Sequence, residues 1–324
     1  MQSARKRCTD LNRPCSALKA RRNKCYKTTM LFFWLWLLLV VIGVGAFLLI
    51  ISYYHSKRLL RPPHHRMPVT VVPDQFRLPY EKVLFNTKDG LLLRGWFIPC
   101  EGSEKTIIFL HGWGTNRGEM FSATHFLHEA GFNLLYFDFR ACGESAGTLS
   151  TVGYLEVADI EAALEYLKDR KPDASQQIAL HGISMGASVA VYAAAHHPEI
   201  KCLVLEALFG SYEKTAGRWA WNNLKIPYYP CVPLALMFVR MKLHADPETY
   251  SAANFIDKLA GRPVFVIHGS HDMLVPLKYT QRLYDKMGQP KEMWVVQGAA
   301  HAKCAEIGGA EYKKRLTEFF TKNL

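Results

Sequence analysis

The stretch QIALHGISMGASVAVYAAAHH, Gln177 to His197, passes from an apolar run to small helix formers through Gly182-Ile183-Ser184-Met185-Gly186. The apolar run reads as a buried strand and the alanine-rich continuation as a helix, so Ser184 falls on the sharp turn between them. A serine hydroxyl is a poor nucleophile until a base takes its proton and the backbone holds its oxygen clear. A strand-to-helix turn does the second, and Gly182 and Gly186 remove side chains that would crowd it. The helix start also places N–H groups beside Ser184, where they favour developing negative charge.

The same G-x-S-x-G signature occurs again as GESAG, Gly143 to Gly147, within FDFRACGESAG. It also follows a strand, but SAGTLSTVGY runs on through loop formers before a helical pattern resumes at Val152. Ser145 is therefore expected on a connection and Ser184 at the nucleophile position. Gly143 and Gly147 are turn glycines, and Asp138 and Arg140 orient this loop.

From about Glu81 the chain alternates short apolar runs with helical patterns, the rhythm of an α/β sheet. Eight strands are expected: VLFNT, LLLRGWFI, TIIFLH, FNLLYFDF, QIALHG, KCLVLEA, PVFVIHG and EMWVVQG. The first two flank Lys88-Asp89-Gly90, a hairpin signal, and are antiparallel; the rest are separated by helices and hence parallel. Helices are expected around Arg117–Ala130, Val152–Lys171, Met185–His197, Leu277–Met287 and Lys303–Lys322. The interval from about 209 to 259, rich in aromatics, Pro and Met, is too long for an ordinary loop. It reads either as a cap over the carboxyl edge of the sheet or as a helical excursion that completes the core.

A base and its orienting acid belong later in the chain, in the order Ser, Asp, His, at the ends of strands. Asp272 stands just beyond PVFVIHG and His301 just beyond EMWVVQG. His301 can take the serine proton and return it to a leaving group, while Asp272 fixes the tautomer and stabilises the imidazolium. His271 is a rival base, but its adjacency to Asp272 directs it away from the same pocket; Glu206 is a fallback acid. The oxyanion hole needs two donors. Met185 N–H follows the nucleophile, and Trp113 N–H, in His111-Gly112-Trp113-Gly114 after an early strand, is the second. His111 is expected to brace that loop.

Charge points away from nucleic acid. Of the formal +12, the first 29 residues carry nine Lys/Arg against one Asp, and Lys57, Arg58, Arg61 and Arg66 supply four more, so that Met67 onward is neutral. Between these basic blocks lies LFFWLWLLLVVIGVGAFLLII, Leu31 to Ile51, with no charge. At about 1.5 Å per residue it spans roughly 30 Å, one hydrocarbon thickness. Trp34, Trp36, Tyr53 and Tyr54 stand where an aromatic belt would. A buried core helix rarely has so long an apolar run on all faces. A cleaved signal peptide is disfavoured by the long basic region and the absence of a small-x-small site.

The expected organisation is a basic cytoplasmic tail (1–29), a transmembrane anchor (30–54), a proline-rich linker (55–80) and the α/β domain (81–324). The larger basic excess before the span favours an amino terminus in the cytoplasm and the domain on the exported, periplasmic or lumenal, side. Of eight cysteines, Cys8, Cys15 and Cys25 lie in the tail; Cys100, Cys142, Cys202, Cys231 and Cys304 are scattered through the domain and suggest buried small hydrophobes.

With HGWG, DFRACGES, GISMG, GSHDMLVP and GAAHA in order, the chain from about Glu81 to Leu324 resembles the α/β-hydrolase superfamily. Within it, the chain is similar to membrane-anchored hydrolases of the serine aminopeptidase-like and monoacylglycerol-lipase-like kind. The resemblance implies a mostly parallel eight-stranded sheet with a helical cap and a serine-esterase mechanism that uses no metal or cofactor. Ala141-Cys142 departs from the Gly-His or Gly-Tyr common in such proteins and bears on substrate geometry. The expected activity is hydrolysis of a small-molecule ester or acylated, lipidic substrate by a protein held in a lipid bilayer. An amidase or peptidase on the same residues, and a non-catalytic anchored binding domain, are the alternatives.

Overall fold

The computed structural model describes residues 15–61, 67–259 and 261–324, with side chains from Arg21 onward. Cys8 with the rest of residues 1–14 of the expected tail, the side chain of Cys15, and Arg66 lie outside the described residues. The described chain divides into two compact units, one ending at Ile51 and the other beginning at Ser52.

The first unit is helical. Helix α1 (Cys15–Leu59) contains the whole apolar run, and it is long and apolar enough to cross a membrane. Its large apolar side chains from Phe32 to Ile50 are mostly exposed, so none of the described residues of this unit covers them. The helix does not stop where the apolar run does. Residues 55–59, expected as linker, continue it, because Ser-Lys-Arg-Leu-Leu contains no breaker before Pro62 and Pro63, and Lys57 and Arg58 complement the last turn.

The second unit is built on one sheet. Its strands are β1 (Glu81–Asn86), β2 (Leu92–Ile98), β3 (Lys105–Leu110), β4 (Asn133–Phe137), β5 (Gln177–Ile183), β6 (Ile200–Glu206), β7 (Val264–Gly269) and β8 (Lys291–Val296). Their spatial order is β1-β2-β4-β3-β5-β6-β7-β8. Strand β2 is antiparallel to both neighbours, and all other pairs are parallel. The hairpin turns at Thr87–Gly90, where Gly90 N–H donates to Thr87 O at 2.8 Å. The period-2 alternation sends Ile108 and Leu110 of β3 to one face, with Ile107 and Phe109 to the other.

Each face has its own core. Helices α3 (Glu156–Arg170), α4 (Met185–His196) and α7 (Leu277–Lys286) cover one; α2 (Arg117–Thr124) and α8 (Cys304–Asn323), kinked at Gly309, cover the other. Cys142, Cys202, Cys231 and Cys304 are buried and unpaired. Residues 69–80 are held rather than loose: Val69, Val71, Val72, Leu78 and Tyr80 pack on the second core, and Asn116 Nδ2 donates to Met67 O.

Between β6 and β7 stand helices α5 (Tyr212–Leu224) and α6 (Cys231–Leu243). Neither contributes to the two cores. They bury one face and leave Trp221, Leu224, Met237 and Met241 exposed, which is the behaviour of a cap laid on the sheet edge.

Candidate active site

The strand order fixes where a site can form. From β3 the chain crosses to β4 on one side, and from β5 it crosses to β6 on the other, so the loops leaving β3 and β5 diverge and open a crevice at the carboxyl edge. Ser184 leaves β5 there, and the Gly112–Gly114 loop leaves β3 beside it. A Cβ placed on Gly112 would lie 3.7 Å from Ser184 Cβ.

Ser184 has φ 54° and ψ −111°, a conformation costing on the order of 1–3 kcal/mol for a residue with a side chain. The surroundings hold it there. Its N–H donates to Glu206 O at 2.9 Å, and its carbonyl accepts from Ser188 N–H at 3.1 Å. The close approach also explains the two glycines: a Cβ at 186 would sit 2.0 Å from Leu110 O, and one at 182 would sit 2.4 Å from Gly186 C. Met185 is the first residue of α4, so its N–H has no acceptor within the helix.

Ser184, Asp272 and His301 come together although they are far apart in sequence. Ser184 Oγ lies 2.9 Å from His301 Nε2, and His301 Nδ1 lies 2.6 Å from Asp272 Oδ2. Asp272 Oδ1 accepts from the N–H groups of Leu274 (2.9 Å) and Val275 (2.7 Å), which locks the carboxylate in place. With Nδ1–H directed at this carboxylate, Nε2 is left as the acceptor for the serine hydroxyl. Such a chain can lift the hydroxyl proton and return it.

The rivals are occupied elsewhere. His271 is exposed, its ring 3.4 Å from Ser270 Oγ. The Glu206 carboxylate accepts from Cys304 N–H (3.2 Å) and Tyr312 O–H (2.9 Å), fastening the start of α8 to the sheet. Burial pushes its pKa up, and these two bonds pull it back. Ser145 is 1 % exposed and spent on the backbone: Oγ donates to Asp138 O at 2.6 Å and accepts from Arg94 N–H at 2.9 Å.

The rest of the GESAG loop is pinned by buried charge. Asp138 accepts from the Arg117 side chain and from the N–H groups of Arg117 (2.8 Å) and Glu144 (2.9 Å). Gly143, at φ 47°, leaves the space that carboxylate fills, since a Cβ would meet Asp138 Oδ2 at 2.1 Å. Arg140 Nε binds Asp159 at 2.8 Å, and its two other nitrogens hold Asp89. His111 ties this loop to the next: Nδ1–H faces Gly112 O at 2.8 Å, while Nε2 accepts from Phe139 N–H at 3.0 Å. Burial pushes the His111 pKa down, which keeps the ring in this neutral form.

One supporting residue gave no signal in the sequence. His268, buried on β7, faces Val275 O through Nε2 at 2.8 Å and Thr280 Oγ1 through Nδ1 at 3.2 Å, bracing the turn that presents Asp272. Burial holds its pKa below the ordinary value. Only its place beside a strand end could have suggested it.

A family model for the alpha/beta hydrolase fold matches residues 105–227. The uncharacterized protein Rv2307c of Mycobacterium tuberculosis is 30% identical over 244 residues, covering 74% of this chain and 79% of its own. YfhR of Escherichia coli K12, likewise uncharacterized, is 28% identical over 75% of this chain and 81% of its own. The esterase Pf2001 of Pyrococcus furiosus superposes with a TM-score of 0.68 at 31% identity, over 81% of this chain and 99% of its own.

Proposed function

The chain belongs to the α/β-hydrolase family, and from that premise we propose that it is a serine hydrolase that cleaves carboxylic esters through an acyl-enzyme on Ser184. The observation that carries the reading is the chain of contacts from Ser184 Oγ to His301 at 2.9 Å and from His301 to Asp272 at 2.6 Å. Likeness to a solved esterase at 31% identity supports ester over amide chemistry.

In this mechanism His301 Nε2 takes the proton as Ser184 Oγ attacks the ester carbonyl, and Asp272 stabilises the imidazolium. The N–H groups of Met185 and Trp113 receive the oxyanion. Collapse breaks the bond to the leaving alkoxide, which takes the proton from His301. Water then enters, gives a proton to His301, attacks the acyl carbon and releases the acid, returning the proton to Ser184.

The apolar helix serves as a retained bilayer anchor, with the basic amino-terminal side in the cytoplasm and the second unit on the far side. Exposed Trp221 and Leu224 on α5 and Met237 and Met241 on α6 suit a lipidic or acylated substrate. A fluorophosphonate probe should label the folded full-length chain, with labelling lost in Ser184→Ala and retained in Ser145→Ala. Labelling that persists in Ser184→Ala would remove the basis of the mechanism. Protease protection of the second unit in sealed vesicles tests the orientation.

A further inference from the structure

The last two turns of α1 belong to the second unit, and their buried residues have helical spacing: Ser52, His55, Ser56 and Leu59 are buried, with Tyr53, Tyr54, Lys57 and Arg58 exposed. A helix face of two serines and a histidine is a poor source of hydrophobic stability. The ring of His55 is 2 % exposed, and neither of its nitrogens has a hydrogen-bond partner among the described residues. Burying polar atoms this way costs free energy that packing must offset. What the face touches gives it a purpose.

His55 stacks on Trp219 of α5, ring centroids 6.1 Å apart and planes within 12°. Trp219 in turn meets Trp113 edge to face, at 5.5 Å and 79°. Trp113 comes directly after Gly112, the residue set beside Ser184. A second path leaves the same helix end. Leu60 O accepts from Ser150 N–H at 3.0 Å, and Ser150 Oγ lies 3.9 Å from Met185 Sδ. Each path therefore reaches one of the two residues whose N–H groups face the oxyanion in the proposed mechanism. Tyr53 against Phe238 of α6, at 5.5 Å, fixes the helix end to the cap.

We propose that His55 is a positioning residue: stacked on Trp219, it holds the Trp113 loop against Ser184, so that the end of the anchor helix is a working part of the active site as well as a tether. The proposal rests on the reading of Trp113 and Met185 as oxyanion donors. Removing the stack frees the loop while leaving Ser184, His301 and Asp272 in place. The loss should therefore fall on kcat rather than KM, because the oxyanion contact forms only as the reaction proceeds. The polar atoms of the ring are not needed for stacking, so an aromatic of similar shape should serve.

The test uses the full-length chain in lipid nanodiscs, with active sites titrated by fluorophosphonate and a p-nitrophenyl ester as substrate. His55→Ala should lower kcat per titrated site about tenfold or more with KM little changed, and His55→Phe should restore most of it. Amide hydrogen exchange in residues 111–116 should quicken in His55→Ala and return toward wild type in His55→Phe. A smaller titratable fraction with unchanged kcat per site would reduce His55 to a folding role and overturn the proposal. Equal losses in both variants, with exchange of the loop unchanged, would overturn it in favour of a polar contact with substrate. If the wild-type chain takes no label, the esterase reading fails, and the exchange measurement alone still decides whether His55 braces the loop.

Discussion

Ser145 and Ser184 sit in the same five-residue signature, and both are nearly buried, at 1 % and 9 % exposure, yet their hydroxyls meet opposite surroundings. Ser145 Oγ has a carbonyl to donate to and an N–H to accept from, so it staples the GESAG loop to β2. Ser184 Oγ meets an imidazole, and its backbone is held at a positive φ by the crossing of β5, α4 and the β3 loop. The contrast shows that the signature specifies small residues around a serine and nothing more. Whether the hydroxyl is structural or reactive depends on the next segment of chain: a direct entry into a helix at Met185, or a loop of ten residues before α3.

The largest expected effect breaks the comparison on the Ser184 side. Ser184→Ala should lower kcat about 10⁴-fold or more, read as hydrolysis of a p-nitrophenyl ester by the detergent-solubilised chain. Asp272→Asn should cost about 10³- to 10⁴-fold while the protein stays folded, because the amide leaves His301 in the wrong tautomer. Residual activity near wild type in either variant would place the chemistry on other residues. On the other side, Ser145→Ala should leave kcat per labelled site unchanged. It orphans Arg94 N–H and Asp138 O, so stability should drop by about 1–3 kcal/mol, seen as a lower denaturant midpoint. A Ser145→Ala protein that is fully stable but inactive would reverse the two assignments.

The same comparison marks what the sequence makes legible. The β5–α4 turn is plain from composition, because an apolar run ends at Ile183 and small residues continue beyond Ser184 as a helix. The positions of Asp272 and His301 come from topology: parallel strands bring all their carboxyl ends to one edge, so residues just beyond β7 and β8 arrive beside β5. The supports around them are another matter. His268 and Tyr312 act through contacts with segments remote in sequence, which no local pattern encodes. The continuation of α1 past Tyr54 is hidden for a related reason, since buried His55 and Ser56 give no hydropathy signal. For residues 209–259, aromatic and methionine content suits a cap or a core equally. The structure divides the interval: α5 and α6 stand outside both cores, with Trp219 against Trp113, whereas Ala252, Ile256 and Leu259 complete the first core.

The smallest expected effect concerns an imidazole directly beneath the Ser184 turn. His181, two residues before Ile183 on β5, is fully buried; among the described residues its Nδ1 has no partner, and Nε2 has a 3.4 Å contact with Tyr312 O–H. Burial pushes its pKa from 6.5 down to about 3. In the unfolded chain the ring takes a proton near pH 6.5, whereas in the folded chain it stays neutral until about pH 3. Above the first value His181 adds no pH dependence. Below it the unfolded state binds the extra proton, so folding stability falls as pH falls, by about 1.4 kcal/mol per pH unit, or roughly 2 kcal/mol at pH 5. His181→Leu removes this contribution, so the stability difference between variant and wild type should move in favour of the variant by about that amount between pH 7.5 and pH 5. Taking the difference at two pH values cancels the change in packing, which does not depend on pH. A pH-independent difference for His181→Leu would show that the ring takes up its proton in the fold as readily as in the unfolded chain.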